Sequence, residues 1–154
     1  SIMNIVNLDP ESLAVQKVIE EIDHLMNSLY APESNQLLSL DELKSDKTHF
    51  IGAIENDVVI SCGAIVEKKD DSIYGELKRI YVAPNHRGKG LSKKIMKALI
   101  VHARNSHWKT IRLETGNLQK EAIALYKKLG FKIRNEFGQY QYDPTSVYME
   151  LHLT

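Results

Sequence analysis

Cysteine is almost absent: Cys62 stands alone in 154 residues. One cysteine closes no disulfide within the chain and gives no cysteine pair for a metal. The usual sign of an oxidising compartment is therefore missing, and the expected setting is cytoplasmic. Net charge is missing too, because 20 Lys and Arg offset 20 Asp and Glu. That balance argues against a general nucleic-acid binder, although a local basic patch can survive it. No apolar run approaches the roughly 20 residues of a membrane helix. The first residues lack the basic flank and apolar block of a secretory leader. Neither a membrane segment nor a signal peptide is expected. The six histidines fall at no zinc-binding spacing, so no metal is expected either. Internal repeats, low-complexity stretches and long linkers are all lacking.

What is present is a regular alternation of strand and helix signals. Met3 to Leu8 alternates weakly and suits a first strand. Asp9-Pro10 has the form of a helix start, with Asp9 as cap and Pro10 in the first turn. Val15, Val18, Ile19, Ile22, Leu25, Met26 and Leu29 then follow at helical spacing until Tyr30-Ala31-Pro32. Ser39-Leu40-Asp41-Glu42 matches a capping box for a short second helix. Residues 48–54 and 58–66 form a hairpin pattern around Glu55-Asn56-Asp57. A polar loop and a strand over 76–82 come next, with Lys78 and Arg79 interrupting the alternation. The rest predicts a helix over about 88–106, a strand over 110–114 and a helix over 119–129 closed by Gly130. Strands over 131–135 and 147–153 end the chain. This order implies an α/β (α+β) sandwich around one central sheet.

The segment Val82-Ala83-Pro84-Asn85-His86-Arg87-Gly88-Lys89-Gly90-Leu91-Ser92 is the most informative. A strand ends, a turn follows, and a helix opens on glycines. The first turn of a helix has N–H groups without internal partners and a partial positive charge, so such a place receives phosphates. Arg87, Lys89 and Lys93 add formal charge. The spacing fits neither a Walker loop nor a dinucleotide fingerprint. By itself the segment suits an ordinary strand-to-helix turn equally well.

Its neighbours add weight. Glu76-Leu77-Lys78-Arg79-Ile80-Tyr81-Val82, Pro84 and Arg87-Gly88-Lys89-Gly90-Leu91-Ser92 together resemble the acetyl-CoA-binding motif of the GCN5-related N-acetyltransferase (GNAT) family. Glu121-Ala122-Ile123-Ala124-Leu125-Tyr126-Lys127-Lys128-Leu129-Gly130-Phe131 resembles that family's second motif, in the family's order. Two departures stand out. The Arg87 pattern ends on Ser92, and Gln119 occupies a position where the family often has asparagine, with Asn117 two residues earlier. The region from Gly130 to Glu150 is similar to a subset of small bacterial acetyltransferases of unassigned substrate.

The resemblance implies one N-acetyltransferase domain over 1–154, with a mixed sheet splayed between the fourth and fifth strands and helices on both faces. It implies acetyl-CoA as cofactor, held by backbone of Ile80 and Val82, by the N–H groups from Arg87 through Gly88, Lys89, Gly90 and Leu91 to Ser92, and by Asn117 or Gln119. Tyr81 has a cofactor role or a packing role. Tyr126 matches the general acid that protonates the leaving thiolate, its alternative being a place on the helix's apolar face with Ala122 and Leu129. Glu76 is the first candidate base and Glu114 the second, each with a plain solvated or substrate-binding alternative. Tyr30, Ser34, Asn35, Glu114, Tyr140 and Asp143 are candidates for the acceptor side, although Asp143 equally suits a turn before Pro144. His86 adjoins the phosphate loop.

The expected activity is direct acetyl transfer to a primary amine of a small molecule or peptide, with a homodimer as an option common in the family. No membrane or nucleic-acid partner is expected. A CoA-binding module without catalysis is one alternative. A nucleic-acid binder using Lys78, Arg79, Arg87, Lys89, Lys93, Lys94 and Lys97 is another.

Overall fold

The computed structural model describes residues 4–34 and 40–154. Asn35 and Ser39 lie outside them, so the acceptor-side role of the first and the capping role of the second have no structural counterpart here.

Helix α1 covers Leu13–Leu29 and begins later than Asp9-Pro10 suggests. Asp9 Oδ1 instead accepts from Glu11 N–H at 2.9 Å in a local turn. Ser12 is the cap, its hydroxyl accepting from Val15 N–H at 3.2 Å. Two side chains compete for the free N–H groups, and the serine nearest the apolar face holds the helix end. After α2 (Leu40–Leu43) come β2 (Thr48–Glu55) and β3 (Val58–Lys69), preceded at the sheet edge by the two-residue β1 (Val6–Asn7). Asn56 and Asp57 join the hairpin at φ values of 50° and 63°, the left-handed pair that matches strand twist in a two-residue turn. The chain continues through β4 (Ile73–Val82), α3 (Leu91–Asn105), β5 (Thr110–Gly116), α4 (Lys120–Lys128), β6 (Lys132–Arg134) and β7 (Ser146–His152).

Among the described residues the strands form one sheet in the order β1-β2-β3-β4-β5-β7-β6. Among these described strands only β4 and β5 run parallel. Strand alternation sends Ile51, Ile65, Leu77, Ile111, Leu113 and Met149 to one face, against Ile95, Met96 and Leu99 of α3. Phe50, Ala64 and Val66 go to the other face, against Val15, Val18, Ile19 and Ile22 of α1. The sheet is therefore buried on both sides, as a crossover α/β layer requires.

Two irregularities open this sheet. The β4–β5 pairing ends at Leu77↔Leu113. Beyond it, β4 follows β3 as far as Ser61↔Val82, whereas β5 follows β7 as far as Gly116↔Ser146. Just past the last pair, β4 carries a bulge: Arg79 and Ile80 oppose the single residue Gly63, between Cys62↔Tyr81 and Ala64↔Lys78. Arg79 sits there at φ 59°, a left-handed conformation unusual outside glycine. A bulge of this kind bends and twists its strand, which turns β4 away from β5. The expected splay between the fourth and fifth strands is present.

Candidate active site

The gap between the parting strands is a cleft of about 700 Å³. It opens on both faces of the sheet. Leu77 and Leu113 lie at its root, α1 flanks one side, and the starts of α3 and α4 flank the other.

The end near α3 is built from backbone. Gly88 and Gly90 have φ values of 78° and 77°, and Gly90 caps α3 without any side-chain cap bond. A Cβ on either glycine would meet nothing within 4 Å, so the space in front of the loop is open. The first helical bond of α3 is Lys94 N–H to the Gly90 carbonyl at 3.1 Å. Among the described residues, no backbone carbonyl accepts from the N–H groups of residues 88–93. This helix start is therefore a concave run of donors with the positive end of a helix behind it. Arg87, Gly88, Gly90, Leu91 and Ser92 line the cleft, as do Ile80, Tyr81, Val82 and His86, whereas Lys89 does not. The Arg87 side chain turns back, its Nε donating to the Val82 carbonyl at 3.1 Å. Gln119 also lines the cleft and donates to Met26 Sδ at 3.6 Å. Asn117 is exposed and takes no part in the lining; its N–H donates to the Thr145 carbonyl at 2.8 Å.

Tyr126 comes from α4 and is 4% exposed, with its ring 5.7 Å from that of Phe131 and one side on the cleft. Burial pushes its hydroxyl pKa up, so the phenol keeps its proton until a strong base arrives. It packs in the core and also reaches the cleft, a position open to either role considered for it.

The opposite end is built from side chains. Glu114, on β5, lines the cleft and accepts from the Ser146 hydroxyl at 2.7 Å. Burial raises its carboxyl pKa; the Ser146 bond and the charge of Lys78 pull it down, and Glu76 and Asp143 push it up. Glu76, the first candidate base, is 4% exposed and absent from the lining. Its Oε2 accepts from Tyr140 Oη at 2.6 Å and pairs with Lys78 Nζ at 3.3 Å. Lys78 in turn donates to Tyr140 Oη. Glu76, Tyr140 and Lys78 thus form a closed triangle under the aromatic packing of Phe137, Tyr140 and Tyr148.

The other acceptor-side candidates have structural work of their own. Tyr30 is buried, its Oη accepts from Leu118 N–H at 3.1 Å, and its ring lies across Gly116. Asp143 Oδ1 accepts from both N–H and Oγ1 of Thr145, at 2.8 and 2.6 Å, and bonds to Ser34 as well. The turn role considered for Asp143 is thus filled. Of the basic residues that could form a surface patch, Arg79 is buried and paired with Asp23, and Lys78 is held by Glu76 and Tyr140.

One wall was not anticipated from the sequence. Leu25, Met26 and Leu29, the last turns of α1's apolar stripe, line the cleft, with Met26 also packed on the core. The signal was available, because the stripe runs on past the residues that the sheet can cover.

The family model described as "Acetyltransferase (GNAT) family" matches residues 15–131. An Azospirillum brasilense protein named IAA acetyltransferase is 39% identical over 137 residues, 89% of each chain. A crystal structure from Klebsiella pneumoniae, provisionally named acyl-CoA N-acyltransferase, superposes with a TM-score of 0.80 at 32% identity, covering 99% of both chains. The PaiA N-acetyltransferase of Thermoplasma acidophilum, solved with coenzyme A, shares the fold at a TM-score of 0.74 and 18% identity, over 99% of this chain and 100% of that one. Sequence match, sheet order and parting strands agree, and the chain belongs to the GNAT family of acetyltransferases.

Proposed function

We propose that all 154 residues serve as one acetyl-CoA-dependent N-acetyltransferase domain, moving acetyl directly to a primary amine of a small molecule or peptide. The observation that carries this reading is the cleft itself, which joins the donor-rich start of α3 to Glu114 through the splayed sheet. Acetyl-CoA suits the residues present: the carbonyl-free N–H groups of residues 88–93 meet a diphosphate, and the open edge of β4 at Ile80 and Val82 suits an extended amide-bearing arm. When bound, it supplies an activated thioester carbonyl.

The protein's own part is to hold and move protons. The amine must be neutral to attack, yet alkylamines are protonated near pH 7. Glu114 takes that proton, because burial has raised its basicity and its carboxylate faces the cleft. Glu76 cannot serve as readily, since its Oε2 is already engaged by Lys78 and Tyr140; it positions them instead. Tyr126 Oη would protonate the thiolate that leaves as the amide forms, and the second proton shed by the nitrogen would restore the phenol.

Thiol release over a panel of amines tests this, beside Tyr126→Phe. The variant should bind CoA as before while kcat falls by about a hundredfold or more. CoA binding with no turnover on any amine would leave a binding module as the function.

A further inference from the structure

The charges along the cleft are unevenly placed. Two of the cations on its lining, Lys78 and Arg79, come from β4. Both are neutralised from within: Lys78 by Glu76, and Arg79 by Asp23 of α1. The other lining cations, Arg87, Lys93 and Lys120, stand just before α3 or in the first turns of α3 and α4. Among the described residues, Glu114 has no ion-pair partner, and only the Ser146 hydroxyl donates to it. The end of the cleft around Glu114 therefore carries surplus negative charge. Facing it are Lys78 and Glu76 of β4, Tyr140 and Asp143 of the late loop, Tyr148 of β7, and Tyr30 at the end of α1. All but Lys78 are neutral or negative. The wall beside this end is apolar, formed by Leu25, Met26 and Leu29.

We propose that the acceptor is a primary amine bearing an apolar group and no carboxylate on the neighbouring carbon, with Glu114 holding the ammonium and the last turns of α1 covering the apolar group. This rests on the acetyl-transfer reading above. A substrate carboxylate would meet Glu114 at close range, with the charge of Asp143 behind it, and the cation that could offset it is already committed to Glu76. Like charges brought together in a partly dry cleft are strongly disfavoured. An ammonium gains the opposite interaction, and its aliphatic or aromatic part replaces water on the α1 wall.

Matched pairs that differ only in the carboxylate test this: 2-phenylethylamine against phenylalanine, 3-methylbutylamine against leucine, tyramine against tyrosine. Binding is measured by calorimetry with and without CoA, and thiol release is measured separately. The decarboxylated member should bind at least about tenfold more tightly in each pair, equivalent to roughly 1.4 kcal/mol. It should also lead in kcat/KM. Glu114→Gln should bring the binding ratio within about threefold, because it removes the charge that discriminates. Equal or better binding of the amino acids overturns the inference, as does the absence of binding by every member. If amino acids are preferred and thiol is still released, the inference fails and acetyl transfer stands. If the amines bind preferentially and no thiol appears, the recognition is right and the transfer reading fails.

Discussion

The two ends of the cleft are made of different material. The α3 end is almost all backbone: two glycines in left-handed conformations and a run of N–H groups with no carbonyl to satisfy them. The Glu114 end is almost all side chain, contributed by β4, β5, β7 and the late loop, with most partners already satisfied by one another. A backbone site can accept a diphosphate whatever its neighbours, because its donors belong to every residue. A side-chain site depends on which residues stand there. The first end asks for little beyond backbone, and the second asks for particular residues.

Substitutions at the two ends should therefore fail in different ways. The largest effect belongs to Gly90→Glu. It places a carboxylate where the diphosphate would sit, and it forces φ 77° on a residue with a side chain. Acetyl-CoA affinity should fall by at least about a hundredfold while circular dichroism still shows a folded protein; unchanged affinity would remove the diphosphate from this loop.

At the other end, Glu114→Gln should lower kcat/KM by about a hundredfold and leave CoA binding intact. The wild-type enzyme should lose activity as pH falls through the raised Glu114 pKa, because the base must be ionised to take the proton. That acidic limb should vanish in the variant. If Glu76→Gln alone abolished the limb, the two carboxylates would have to exchange roles.

A smaller effect tests the joint between the ends. A Cβ on Gly116 would lie 1.9 Å from Tyr30 Oη, and the buried phenol is fixed by its bond to Leu118. Gly116→Ala should cost roughly 2 kcal/mol in chemical denaturation. Tyr30→Phe should recover little of the loss, because the ring carbon Cζ would lie 2.0 Å from the same Cβ.

The smallest effect is Lys78→Met. The lysine's charge lowers the Glu114 pKa, so its removal should move the acidic limb to higher pH, with a modest fall in rate at neutral pH. Movement to lower pH would show that Lys78 acts through its bond to Tyr140 and not through its charge.

How much of this was legible in the sequence follows the same division. The β-α-β order, the Asn56-Asp57 hairpin and the glycine-led start of α3 depend on neighbours in the chain, and local chemistry announces them. Helix α1 shows where that stops. Asp9-Pro10 and Ser12 both carry start signals, and the choice between them rests on which register puts Val15, Val18, Ile19 and Ile22 against the sheet. The proposed preference for Glu114 over Glu76 has a similar cause. Both stand on neighbouring strands, but Tyr140 arrives from 64 residues away to occupy Glu76, and nothing in the local pattern foretells it. The interrupted alternation at Lys78-Arg79 was visible as a break; its conversion into a bulge with Arg79 left-handed required the partner strand.

That bulge reaches beyond its own strand. Arg79 is held at φ 59° while its guanidinium pairs with Asp23 of α1 and its carbonyl accepts from Cys62 Sγ at 3.2 Å. Strand and helix are thus riveted together at the one place where the sheet changes course. Left to the ordinary right-handed twist, β4 would continue beside β5 and close the sheet like a zip. The aperture between β4 and β5 is then a property of one residue's handedness, and Asp23, which secures it, sits on the same helix that supplies the apolar wall of the cleft.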